Sequence, residues 1–181
     1  MTELTAEIVR ELLDYNPETG DFYWKYRDVK WFNSQRACNS WNTKYAGNKT
    51  FCLYRNKYLG VVIFHKKRLA HRIAWLYVHG EWPDGQIDHI NNVRDDNRII
   101  NLRVVTANQN QHNQKRAQRD NKSSGLLGVT FNKANKNWVA NIHIKGKQKH
   151  IGCYDCKHEA HEAYLEVKAK YHSGYVGDNY R

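Results

Sequence analysis

The densest run of side chains able to do chemistry lies between residues 88 and 113. Asp88-His89 is followed by Asn91, Asn92, Asn97, Asn101, Asn108, Asn110 and Asn113. The carboxylate of Asp88 and the amide oxygen of Asn110 are hard donors, suited to Mg²⁺ or Mn²⁺ with water and a substrate phosphate completing the shell. A neighbouring histidine, with an ordinary pKa near ~6.5, can take a proton from water at neutral pH. Base, metal and phosphate are together the parts needed to hydrolyse a phosphodiester. The same residues also fit a polar Asx-turn loop, in which Asn serves for its tolerance of unusual backbone angles.

Those residues need elements to bring them together. Residues 86–90 and 102–105 read as two short strands flanking the polar loop. Asp88 would stand at a strand end, and the hairpin would fold it toward Asn110. Thr106-Ala107-Asn108-Gln109 has the capping-box pattern and should open a helix running to about residue 118. Upstream, residues 70–79 form a helical candidate ended by Gly80. Residues 59–64 read as a β-branched strand, with Lys66-Lys67 as a turn. Nearer the start, residues 3–13 suit a helix capped by Thr5, and Phe22-Tyr23-Trp24 a strand after the turn cluster 15–20. Residues 27–57 show no clear period, and their Trp31 and Trp41 fit either a core or a DNA contact.

Residues 117–125 have linker composition, so the chain divides into residues 1–120 and 121–181. In the second part, residues 129–132, 138–144 and 147–152 read as strands, with Lys145-Gly146-Lys147 as a hairpin turn, and residues 157–172 as a helix. Asn141, His143 and Lys145 share one face of the middle strand, which Gln148 and His150 join from the next. An overall α+β fold follows.

The chain of 181 residues carries 29 Lys and Arg against 18 Asp and Glu, a formal charge of +11. The excess is +2 over residues 1–60, +4 over 61–120 and +5 over 121–181, interleaved with apolar residues rather than confined to one tail. Such a balance points to a polyanionic partner. No window approaches ~18 consecutive apolar residues, so a membrane span is not expected. Acidic residues stand near the N-terminus where a signal peptide would be basic, which makes the reducing cytoplasm the expected location. A membrane-surface role lacks a basic amphipathic helix to support it. Cys153 and Cys156 have C-x₂-C spacing but no second pair nearby, so no structural zinc is expected.

At this point the residues carry a resemblance. His71-Arg72-Ile73-Ala74-Trp75, Asp88-His89-Ile90-Asn91, Asp96-Asn97-Arg98, Asn101-Leu102-Arg103-Val104-Val105-Thr106 and Asn110 resemble the HNH homing-type endonucleases of phages. Residues 16–24 resemble the N-terminal segment that such proteins carry. The resemblance implies a ββα-metal core over about residues 70–118. It implies His89 as general base, Asp88 and Asn110 as ligands of one divalent ion (Mg²⁺, with Mn²⁺ able to replace it), and Asn101 as the residue that fixes the loop and orients the base. It further implies double-stranded DNA as substrate and products with 5′-phosphate and 3′-hydroxyl ends. Arg72, Arg94, Arg98 and Arg103 are the expected phosphate contacts. His71 reads as a hydrogen-bonded scaffold residue, with a catalytic role as the alternative. A monomer is the expectation, with a dimer left open.

Residues 123–175 resemble the AP2 DNA-binding domain, a three-stranded antiparallel sheet on one helix. Asn141, His143, Lys145, Gln148 and His150 would then face DNA. The competing reading of the whole chain is a DNA-binding regulator that keeps the fold without cleavage.

Overall fold

The computed structural model describes residues 3–53, 57–114, 117, 121 and 123–177. They fall into two compact units, Met1–Val104 and Val105–Arg181. The division expected from composition at residue 120 lies inside the second unit, and residues 118–120 and 122 of the linker stretch 117–125 lie outside the described residues.

The first unit begins with helix α1 (Ala6–Leu12), whose N-cap Thr5 accepts from the Ile8 N–H through its side chain. Leu13 ends the helix by going extended, and strands β1 (Leu13–Asn16) and β2 (Asp21–Trp24) form an antiparallel hairpin. Its turn closes on Gly20 at φ +76. Helix α2 (Gln35–Tyr45) follows, started by Ser34. Strands β3 (Cys52–Leu53), β4 (Leu59–Ile63) and β5 (Lys66–Leu69) make an antiparallel sheet. Lys66-Lys67 is therefore strand rather than turn. The turn falls on Phe64 and His65, both at positive φ, because a two-residue hairpin joining right-twisted strands needs that conformation.

Helix α3 (Ala70–His79) runs directly out of β5 and stops at Gly80, φ +83. It packs on α1, and Leu4, Val9, Leu12, Leu13, Ile73, Ala74 and Leu76 are buried in the shared core with Phe22 and Ile63. Strands β6 (Gln86–His89) and β7 (Leu102–Val105) pair as a two-stranded sheet. Trp41 sits in an aromatic cluster. It packs with Trp24, Phe32 and Tyr45, and the Arg27 guanidinium lies 4.3 Å from the Trp24 ring centroid and 3.9 Å from that of Trp41. Burial lowers the Arg27 pKa to about 10. Trp31 packs at the edge of the main core.

The second unit starts with helix α4 (Ala107–His112), opened by the expected capping box. Thr106 Oγ1 accepts from the Gln109 N–H at 3.3 Å, and Gln109 Oε1 accepts from the Thr106 N–H at 2.9 Å. The helix ends at His112, short of residue 118, with Asn113 as C-cap. Strands β8 (Val129–Asn132), β9 (Asn137–Ile144) and β10 (Lys147–Tyr154) form an antiparallel sheet in the order β10-β9-β8. Helix α5 (Lys157–Tyr171) packs against it, with Val129, Ala140, Ile142, Ala160 and Tyr164 as core. The β9–β10 turn uses Lys145 at φ +51 and Gly146 at φ +75, the twist-matched hairpin conformation. Three strands and a helix are what the spacing led one to expect.

Candidate active site

Strand β6 delivers Asp88 and His89 on consecutive residues, so they point to opposite sides of the strand. Both are buried, at 7% and 4% exposure. Asp88 meets β7: its Oδ2 accepts from Arg103 Nε at 3.0 Å and from Nη2 at 2.7 Å. Arg103, expected at a phosphate, thus holds the carboxylate in this structure.

His89 has a different set of neighbours. Its Nε2 lies 3.4 Å from Asn97 Oδ1. Asn97 is fully buried and its Nδ2 donates to the Asp95 carbonyl at 3.1 Å, so Oδ1 is the accepting end. That assigns the proton to Nε2 and leaves the Nδ1 lone pair as the basic one. Burial is the largest influence on the His89 pKa and lowers it; contacts with Asn97, Asp88 and Asp96 act the other way.

The loop that carries Asn97 is fixed from within. Asn101 Oδ1 accepts from the Asn91 N–H at 3.0 Å, and its Nδ2 donates to the Asp96 carbonyl at 2.8 Å. Asn101 therefore ties the loop's two ends, while Asn97 touches the histidine. Asp96 takes Arg98 through Nε and Nη2 at 2.8 and 2.6 Å, and Asn91 Nδ2 at 2.7 Å. Arg98 is thus turned to a carboxylate, and it holds the Asp96 carboxyl below its usual range. Arg94 lies over the Tyr58 ring, 5.2 Å from its centroid.

The N-terminal hairpin braces the same loop. Tyr15 Oη donates to the Asn97 carbonyl at 2.8 Å in a buried contact. Burial pushes the Tyr15 pKa up to about 12, so the hydroxyl stays a donor. A Cβ on Gly20 would come within 2.6 Å of the Arg98 nitrogen and 2.7 Å of the Asn97 carbonyl carbon. Only glycine fits there. Removing the Tyr15 hydroxyl alone, in Tyr15→Phe, should cost about 1 kcal/mol of stability and lower any turnover several-fold with KM unchanged. Asn97→Ala should lower turnover further. Steady-state kinetics of the two variants check the order.

His71, in the first turn of α3, is 6% exposed and packs its ring edge-on to His89, centroids 5.2 Å apart at 87°. Tyr58 contacts both rings, at 5.3 and 5.9 Å. The hydrogen bond expected of a scaffold histidine is missing, since Nδ1 is buried without a partner. Burial, helped by His89 and Arg72, lowers the His71 pKa to about 3. The unfolded chain takes this proton as pH falls below ~6.5, whereas the folded one does not. The stability is therefore full above ~6.5 and drains as pH falls toward 3, by about 2 kcal/mol at pH 5. His71→Phe should flatten that loss. Urea unfolding at pH 8 and pH 5, followed by Trp fluorescence, measures it.

Asn110 belongs to α4 in the second unit, where its N–H donates to the Thr106 carbonyl at 3.0 Å. Arg72 reaches the Pro83 and Gly85 carbonyls at 3.4 Å. On the C-terminal sheet, His150 pairs with Asn141 and Gln148 with His143, so these four side chains share a face, with Lys145 in the adjoining turn. His150 Nδ1 is 3.4 Å from Asn141 Oδ1. Sequence reasoning missed Asn97, Tyr15 and Tyr58 as neighbours of the histidine.

Residues 68–112 match the HNH endonuclease family. The match begins at Arg68 and takes in α3, both strands of the β6–β7 pair, the loop between them and α4. It supports a nuclease-type hydrolase function for the HNH segment, with DNA as substrate. HNH nucleases generally use divalent metal ions. Among the described residues no three His, Cys, Asp or Glu side chains gather as a metal site. No curated protein and no solved structure matches the chain. Among the described residues no helix is long and apolar enough to cross a membrane.

Proposed function

We propose that the chain is a metal-dependent, homing-type DNA endonuclease of phage kind, whose HNH segment cuts duplex DNA and whose C-terminal sheet helps choose where. The observation that carries this is the setting of His89: a buried imidazole whose Nε2 is turned to an amide oxygen, with a carboxylate on the adjacent residue, in a segment that matches a nuclease family.

In this reading His89 takes a proton from water on Nδ1. The developing imidazolium keeps its Nε2 proton on Asn97, and His71 and Tyr58 pack against the ring. Asn101 holds the loop in shape. Asp88 and Asn110 would hold the ion, and their carboxylate and amide oxygens are donor types that suit Mg²⁺ with water ligands retained. A bound divalent ion would polarise the phosphate and stabilise the leaving 3′ oxygen. Arg103 holds the Asp88 carboxylate in place through their ion pair, and Arg72, Arg94 and Arg98 are phosphate contacts.

The division of residues 1–120 for cutting and 121–181 for recognition is part of the proposal. An AP2-like reader would present Asn141, His143, Lys145, Gln148 and His150 to base edges and phosphates. Paired cross-strand polar residues on one exposed sheet face support it.

Supercoiled plasmid treated with the protein in Mg²⁺ should become nicked or linear and should stay intact in EDTA. Ligase should reseal the nicks, as 5′-phosphate and 3′-hydroxyl ends require. Plasmid that stays intact in Mg²⁺ and Mn²⁺, across DNAs of varied sequence, would leave a DNA-binding protein without cleavage.

A further inference from the structure

Four cations gather where β5 runs into α3. Lys66, Lys67, Arg68 and Arg72 line a cleft of about 540 Å³ with Trp82 and one acid, Glu3. The Arg68 and Arg72 guanidinium carbons lie 5.8 and 5.9 Å from the Trp82 ring centroid. Trp82 is itself anchored, since its Nε1 donates to the Leu4 carbonyl at 3.2 Å. Among the described residues no carboxylate pairs with Lys66, Arg68 or Arg72. Arg68 Nε is buried with no hydrogen-bond partner. Arg72 makes only long contacts to two carbonyls, both 3.4 Å.

Like charges held together repel, and a buried guanidinium nitrogen without an acceptor costs stability. Elsewhere in the first unit four cations do have carboxylate partners: Lys30 with Glu11, Lys49 with Asp21, Arg98 with Asp96 and Arg103 with Asp88. The cleft therefore has the wrong charge for a purely structural feature and the right one for an anion. Guanidiniums fixed against an aromatic ring present their N–H groups as a rigid fork, the geometry that takes phosphate oxygens in pairs. Its position indicates which anion. Arg72 directly follows His71 on the first turn of α3, and His71 packs on His89. One helix end thus carries both a neighbour of the reactive histidine and a ligand of the cleft.

We propose that this cleft is a second phosphate site, holding the backbone of the substrate DNA beyond the reacting phosphate, with Arg68 and Arg72 as the phosphate ligands and Lys66 and Lys67 beside them. It rests on the reading of the chain as a DNA endonuclease and extends that reading to how the strand is gripped. Such contacts are independent of sequence and position the duplex.

The test is fluorescence anisotropy with a labelled 30-bp duplex of mixed sequence, in EDTA, across 50–200 mM KCl. The Lys66→Gln/Arg68→Gln double variant should bind about 10-fold more weakly at the lowest salt. Its slope of log affinity against log salt should fall by about 2, one for each cationic charge removed from the phosphate site. Lys66→Gln/Lys67→Gln changes only exposed side chains and should lower the slope too, which covers a folding defect at Arg68. Arg36→Gln/Lys44→Gln removes the same charge from exposed positions of α2 and should leave the slope unchanged. Equal slopes for wild type and both cleft variants, or an equal fall in the α2 control, would overturn the cleft. A wild type that shows the cleft-dependent slope yet never cuts plasmid would remove the nuclease reading and keep the cleft. A wild type that cuts while the cleft variants bind normally would do the reverse.

Discussion

His89→Ala should lower DNA cleavage by about 10³-fold while leaving DNA affinity within about twofold. A positioned general base contributes roughly 10²–10⁴-fold. His71 is the nearest imidazole, but a pKa of about 3 makes it too weak a base to stand in. Affinity should survive because the cationic side chains around the site, Arg72, Arg94, Arg98 and Arg103, are untouched. Single-turnover cleavage and anisotropy on the same preparation separate the two effects. Loss of both together would mean that His89 is needed for the fold of the loop.

Asp88→Asn should be nearly as damaging, about 10²–10³-fold in cleavage. The substitution keeps the shape but removes the charge that a divalent ion would neutralise. It also leaves Arg103 without its carboxylate in a half-buried position. Arg103→Gln separates these roles. If Asp88 serves as a metal ligand, Arg103→Gln should keep most cleavage at saturating Mg²⁺, and Asp88→Asn should require far more Mg²⁺ than wild type. If the ion pair matters only for stability, the two variants should lose activity and urea resistance in parallel. Mg²⁺ titration of cleavage, read beside urea unfolding, distinguishes the outcomes.

Local rules made much of the architecture legible. Thr5, the Thr106–Gln109 box, Gly80 and the Lys145-Gly146 turn each act within a few residues, and all four stand where the sequence puts them. Helix α2 was hidden because it buries Cys38 and Asn42 rather than a stripe of aliphatics. Asn42 is buried for a reason no pattern shows: it takes both the N–H and the carbonyl of Arg27, at 2.9 Å each. Strand β5 was hidden because Lys66-Lys67 has turn composition, while its pairing with β4 is decided by the whole sheet.

The site divides the same way. Asp88 and His89 are adjacent in sequence, so their partnership could be read directly. The choice between Asn97 and Asn101 could not. Both lie in one Asn-rich loop, four residues apart, and only the folded loop turns Asn101 to the backbone and Asn97 to the imidazole. Tyr15 meets that loop from 82 residues away, a distance across which composition and periodicity carry no signal.

The most direct test of His89 as the water-activating base is rescue by imidazole. His89→Gly, assayed on supercoiled plasmid in Mg²⁺, should be almost inactive alone and should regain cleavage in proportion to added neutral imidazole. Cleavage by His89→Gly at the wild-type rate without imidazole would contradict it.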